Sequence, residues 1–127
     1  MNREYVLYAG KVYNLEWYYN QSGKSQALEF FLSLDEYRQN ALLKLAKHMG
    51  DFGKIMNIEK FRFEGNKIFA FKPRPDGYLC FFAKGGKIII TNAFCKKSQK
   101  LPVKEFDLAN RLKVDYENRI LKGRYYE

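Results

Sequence analysis

The feature that most limits the fold is a change of hydrophobic period at Gly53. Before it, Leu42, Leu45, Ala46 and Met49 recur at i, i+3, i+4 and i+7, the stripe of a helix packed on something else, and Gly50 and Gly53 end that helix. After it, short runs rich in aromatic and β-branched residues take over: Phe61 to Phe63 leading to Lys67 to Lys72, then Tyr78 to Phe82, then Lys87 to Phe94. Pro73-Arg74-Pro75-Asp76-Gly77 separates the first two runs and Gly85-Gly86 the next two, connections short enough to make antiparallel neighbours. Segregated helical and strand periods of this kind predict an α+β fold.

The flanks complete the expectation. Tyr13 to Tyr19 reads as a first strand ending at the turn-like Asn20-Gln21-Ser22-Gly23, with Tyr5 to Tyr8 extending or preceding it. From Ser25, the apolar positions Ala27, Leu28, Phe30, Phe31 and Leu34 fit a short helix, and Ser33-x-x-Glu36 resembles a capping box opening the second. Pro102 sits where a last helix begins, with Phe106, Ala109, Leu112 or Lys113, Tyr116 and Ile120 on one face through to about Leu121. The expected architecture is an antiparallel or mixed sheet of about four strands, with two N-terminal helices and one C-terminal helix packed on it. The tail Lys122 to Glu127 is expected to be frayed or peripheral.

At 127 residues and 46% hydrophobic, the chain suits a single domain spanning 1–127 with its core in about 13–120. No apolar stretch approaches the roughly 20 residues of a membrane-spanning helix, and Met1-Asn2-Arg3-Glu4-Tyr5 lacks a signal peptide's apolar region. A cytoplasmic protein without membrane contact is expected. Cys80 and Cys95 lack Cys-x-x-Cys spacing and His48 is the lone histidine, so neither a metal site, a disulfide scaffold nor a small-molecule cofactor is expected.

Charge is distributed unevenly. Residues 1–53 hold six basic and six acidic side chains, residues 105–127 hold five of each, and residues 54–104 hold twelve basic against three acidic. The whole net charge of +9 therefore belongs to the middle segment, a pattern that points to a polyanion-binding face. The basic stretch alternates as strands do, which argues for nucleic acid over a membrane surface.

The two hairpins concentrate that charge further. If residues 73–77 form one loop, Lys72 and Tyr78 stand at adjacent strand ends, and pairing through Gly85-Gly86 sets Thr91 to Ala93 beside Tyr78. Lys72, Arg74, Tyr78 and Asn92 then gather at one end of the sheet, where Lys96, Lys97 and Lys100 leave the last strand. RNA is cleaved without a metal when its 2′-hydroxyl attacks the adjacent phosphate, which needs a base, cations for the phosphorane and an acid for the leaving 5′-oxygen. His48 lies on the scaffold helix in a surface or capping position, so lysines are left for this work. Crowded cations lower a lysine's pKa, making Lys72, Lys96 or Lys97 a candidate for proton transfer, with Arg74 beside them. Lys67, Tyr78, Asn92 and Lys100 are the candidate RNA contacts, Tyr78 by stacking or by a phosphate hydrogen bond.

Two stretches resemble the RelE/ParE superfamily of toxins from type II toxin-antitoxin pairs, in its HigB-like branch that includes phage-derived Gp49-like proteins. Gly23-Lys24-Ser25-Gln26-Ala27-Leu28-Glu29-Phe30-Phe31-Leu32-Ser33-Leu34-Asp35 is similar to the family's segment in which Gly-Lys-Ser-Pro opens a short helix ending in Leu-Asp. Asn92-Ala93-Phe94-Cys95-Lys96-Lys97-Ser98-Gln99-Lys100-Leu101-Pro102 resembles the family's "HGFxKKTQKTP", and Glu105-Phe106-Asp107-x-Ala109-x-Arg111 resembles its "EIxxAxxR".

 In this chain Asn110 alone separates Ala109 from Arg111, one residue fewer than in that pattern. Phe69-Ala70-Phe71-Lys72 sits where the family has "YELR", before a hairpin and an "RxFYF"-like strand.

The resemblance covers roughly residues 13–120 and implies a RelE-like fold. It implies a metal-independent mRNA endoribonuclease that inhibits translation, often on the ribosome, and is neutralised by a cognate antitoxin. Lys72 takes the family's basic position ending its second strand, and Lys96 and Lys97 match the "KK" pair. The strand that opens with Arg in the family has Tyr78 or Leu79 here, and the His of "HGF" is Asn92, with Arg74 as the substitute cation. Two other readings keep the fold: a ParE-like toxin that binds gyrase, and a non-catalytic RNA-binding relative.

Overall fold

The computed structural model describes residues 3–98 and 100–127, so Met1, Asn2 and Gln99 of the stretches quoted above lie outside the described residues. Its strands are β1 (Val6–Ala9), β2 (Asn14–Trp17), β3 (Phe61–Gly65), β4 (Ile68–Phe71), β5 (Asp76–Ala83) and β6 (Lys87–Cys95). Its helices are α1 (Gln26–Leu32), α2 (Glu36–Phe52) and α3 (Val103–Leu121). The strands form one sheet in the order β1-β2-β6-β5-β4-β3. Among the described residues, only the β2–β6 pairing is parallel.

The α+β class is as expected, and the expected strand count of about four is corrected to six among the described residues. Tyr5 to Tyr8 supplies a separate strand, β1, because the chain reverses at Gly10. A Cβ there would lie 2.3 Å from the Gly50 backbone carbonyl carbon, and the Val12 and Tyr13 N–H groups both donate to the Gly50 oxygen at 2.7 and 2.9 Å. The run from Phe61 to Lys72 is a hairpin, not one strand. It reverses at Asn66 and Lys67, whose φ values of 48° and 63° are those of a tight turn.

Local chemistry fixes the helix ends. Ser25 caps α1, its hydroxyl accepting from the Leu28 N–H at 3.3 Å. The cap of α2 is Asp35, whose carboxylate accepts from the Arg38 N–H at 2.9 Å, and the expected capping residue Ser33 instead closes α1. Gly53, at φ 81°, ends α2 in the left-handed conformation.

The sheet has a core on each face. Trp17, Phe71, Tyr78, Ile88 and Ile90 pack with Ala27 of α1 and Leu42, Ala46 and Met49 of α2. Ile68, Ala70, Leu79, Phe81 and Ile89 pack with Ala109 and Tyr116 of α3. The pleat's alternation sorts one strand's residues between these faces, so Ile68 and Ala70 face α3 while Phe71 faces the other helices. The register Tyr78↔Ala93 matches the expected pairing, and an irregularity between Leu79 and Cys80 leaves Thr91 as the extra residue on β6. No helix among the described residues is long and apolar enough to cross a membrane.

The tail is the clearest departure from expectation. Tyr125 is 1% exposed, and its ring packs edge-on against Tyr116 at 4.5 Å. Its hydroxyl accepts from the Tyr19 N–H at 2.9 Å, and the Arg119 guanidinium lies 4.7 Å from the ring centroid. Tyr126 donates to Glu16 at 2.6 Å and accepts from Lys87 at 2.7 Å. The chain end thus seals the α3-facing core. Tyr125→Ala is expected to lower stability by about 3 kcal/mol, the cost of emptying a large aromatic site. A urea midpoint equal to that of the parent chain would show that the tail is peripheral after all.

Candidate nucleic-acid interface

The site is built where β4 and β6 end together. Lys72 follows Phe71 and continues the alternation of Ile68 and Ala70, which directs it to the α3 side of the sheet. Lys96 follows Cys95, and its N–H donates to the Pro75 carbonyl at 2.7 Å, drawing the two chain segments together. Between them runs a basic trench in two adjoining parts. One part, of about 340 Å³, is lined by Arg62, Glu64, Lys72, Lys96 and Lys100 beside Phe106 of α3. The other, of about 320 Å³, is lined by Lys72, Arg74, Lys96, Lys97 and Ser98.

The expected cations Lys72, Arg74, Lys96, Lys97 and Lys100 are therefore brought together. Three expected contacts are placed elsewhere. Lys67 lies at the tip of the β3–β4 hairpin, beside Phe63, Phe69 and Phe82. Tyr78 is fully buried, its ring 5.8 Å from Phe30, and burial raises its pKa, with Asp76 adding to the rise. Its hydroxyl has no hydrogen-bond partner among the described residues, and its ring, fully buried, presents no face on which a base could stack. Asn92 is also buried. Its amide donates to the Glu105 carboxylate at 2.9 Å and its oxygen accepts from Thr91 at 2.7 Å, tying β6 to the first turn of α3.

Arg62 and Glu64 were not singled out by the sequence reading. Their signal was available in the alternation Phe61-Arg62-Phe63-Glu64, which puts the two polar side chains on one strand face. Glu64 is the carboxylate lining the trench among its described residues. Of the other acids in the basic segment, Glu59 pairs with Arg74 at 2.9 Å, both exposed. Asp76 is fully buried, with Arg38 of α2 donating from Nε at 3.0 Å and from Nη2 to its other oxygen.

Electrostatics single out Lys96. Burial lowers its pKa, the charges of Lys72, Arg74 and Arg62 lower it further, and Glu64 opposes them. Lys96 therefore releases its proton at a lower pH than an ordinary lysine. Among the described residues, no three His, Cys, Asp or Glu side chains are grouped as metal ligands would be.

Residues 29–114, about two thirds of the chain, match the family of phage-derived Gp49-like proteins (DUF891). A comparison with curated proteins returned no match.

Two expectations follow. Lys72→Ala is expected to raise the Lys96 titration midpoint and Glu64→Gln to lower it, read from NMR shifts of the lysine ε position. A midpoint that neither change moves would show that these charges are not coupled. Tyr78→Phe removes a buried hydroxyl without a partner and is expected to stabilise the fold by about 1 kcal/mol. A loss of stability in a thermal melt would reveal a hydrogen bond to that hydroxyl.

Proposed function

The chain belongs to the Gp49-like family, the HigB/RelE-like toxins of toxin-antitoxin systems, and from that membership we propose that it inhibits translation as an mRNA endoribonuclease. Family membership also implies a cognate antitoxin as partner. In this reading the whole chain, 1–127, is the toxin unit, and it acts in the cytoplasm on mRNA held by the ribosome. The observation that carries the reading is the trench: clustered cations around a partly buried lysine of lowered pKa and one carboxylate.

Each group has a role in the proposed transesterification. Lys72, Arg74 and Lys97 hold the scissile phosphate and stabilise the charge that builds on the phosphorane. Glu64 accepts the proton from the 2′-hydroxyl as the O2′–P bond forms. Lys96 donates its proton to the 5′-oxygen as the P–O5′ bond breaks, and its lowered pKa makes it a stronger acid for this step. The products are a 2′,3′-cyclic phosphate and a free 5′-hydroxyl. Arg62 and Lys100 lie along the flanking backbone.

The test is brief induction in a bacterial host followed by mapping of new mRNA 5′ ends. New ends within translated frames are expected from the parent chain, and none from the Lys72→Ala, Lys97→Ala double variant. Glu64→Gln is expected to reduce them about 100-fold or more, the usual range for losing a general base. Intact transcripts with arrested growth and a DNA-damage response would replace this reading with a gyrase-binding one. Intact transcripts with normal growth would point to a non-catalytic relative.

A further inference from the structure

A second cavity adjoins the trench on its other side. It has a volume of about 610 Å³ and lies between α2 and the turn that joins β4 to β5. Tyr37, Asn40 and Lys44 of α2 line one wall above Leu45, and Lys60, Pro73 and Arg74 line the other. Tyr37, Asn40, Ala41, Lys44 and Leu45 fall at i, i+3, i+4, i+7 and i+8, so they form one stripe of the helix. The fully buried residues that pack on the sheet, Leu42, Ala46 and Met49, lie on the neighbouring stripe, and Leu45, partly buried against the same core, forms the border between the two.

We infer that this groove is a subsite for single-stranded RNA, holding nucleotides that flank the phosphate in the trench. The inference rests on the cleavage reading above and extends it to a substrate path. Arg74 lines both the groove and the trench, so one backbone can pass from one to the other without leaving positive surface. No carboxylate is among the groove's described lining residues, whereas Lys44, Lys60 and Arg74 are. Glu59 pairs with Arg74 at the surface, and an exposed pair of this kind yields readily to a phosphate.

Tyr37 is 82% exposed near the start of α2, a side chain available to stack on a base. Asn40, one turn along, offers both a donor and an acceptor to a base edge. An aromatic platform beside a track of cations suits a single strand. A protein partner would favour clustered apolar anchors, and the aromatic cluster of exposed Phe63 and Phe82 with half-buried Phe69 lies around a different cavity.

The probe is a fluorescein-labelled, unstructured RNA oligonucleotide methylated at its 2′-hydroxyls to prevent cleavage, followed by anisotropy across a salt series. Tyr37→Ala is expected to weaken binding about tenfold, the loss of one stacked base. Lys44→Ala with Lys60→Ala is expected to reduce the slope of log affinity against log salt by about 1.4, about 0.7 for each lysine. Parent-like binding by both variants, or no binding by the parent chain at low salt, would overturn the inference. Variants that keep their RNA affinity but lose a co-expressed antitoxin would also overturn it, assigning the groove to protein. The mRNA-end mapping separates the two readings: Tyr37-dependent binding without new ends defeats only cleavage, and new ends with Tyr37-independent binding defeat only the subsite.

Discussion

The arrangement depends on where the carboxylate of Asp76 goes. It begins β5, opposite Cys95 on β6, at the very end of the sheet where the lysines gather. Left to itself there, it would neutralise a neighbouring cation of the trench. Instead it is fully buried and taken in a two-pronged contact by Arg38, which reaches it from α2. A buried carboxylate needs such a partner because desolvation of an unpaired charge is costly. The contact thus fixes α2 to the start of β5 and leaves Lys72 and Lys96 facing one another with Glu64 as their nearby counter-charge.

Asn92 performs a matching task on the opposite face. The extra residue at Thr91 restores the alternation needed for Asn92 to reach α3, where it bonds Glu105. That bond holds the first turn of α3 over the sheet, and Phe106 from that turn closes one side of the trench. A side chain read from sequence as an RNA contact is therefore a structural tie. With Asn92 and Tyr78 both committed to the interior, the proposed chemistry is left to Glu64 on β3 and to cations just beyond the ends of β4 and β6.

Much of this was legible in the sequence because it depends on local rules. Period and turn residues located the helices and the β4–β5–β6 meander, and the meander alone gathers Lys72, Arg74, Lys96 and Lys97. What escaped was of two kinds. The Asn66–Lys67 reversal was masked by the apolar residues on both sides of it, although Gly65-Asn66 is itself a turn signal. The burial of Tyr78 and Tyr125 depends on partners distant in sequence: Trp17 and Phe30 in one case, Tyr5 and Tyr19 in the other. A tyrosine reads alike in a core and at a surface, and only tertiary contact decides between them.

The trench also has an energetic consequence for partner exchange. Several like charges held within one small cavity repel one another, and the charges of Lys72, Arg74 and Arg62 accordingly lower the pKa of Lys96. Any polyanion that enters the trench therefore relieves that repulsion. RNA phosphates would relieve it, and so would the acidic side chains of a bound protein. Two such ligands using the same cations cannot be accommodated independently, so their binding is antagonistic by linkage. In the proposed function, an antitoxin needs only to place carboxylates among Lys72, Lys96 and Lys97 to exclude the substrate, without altering the fold that carries them.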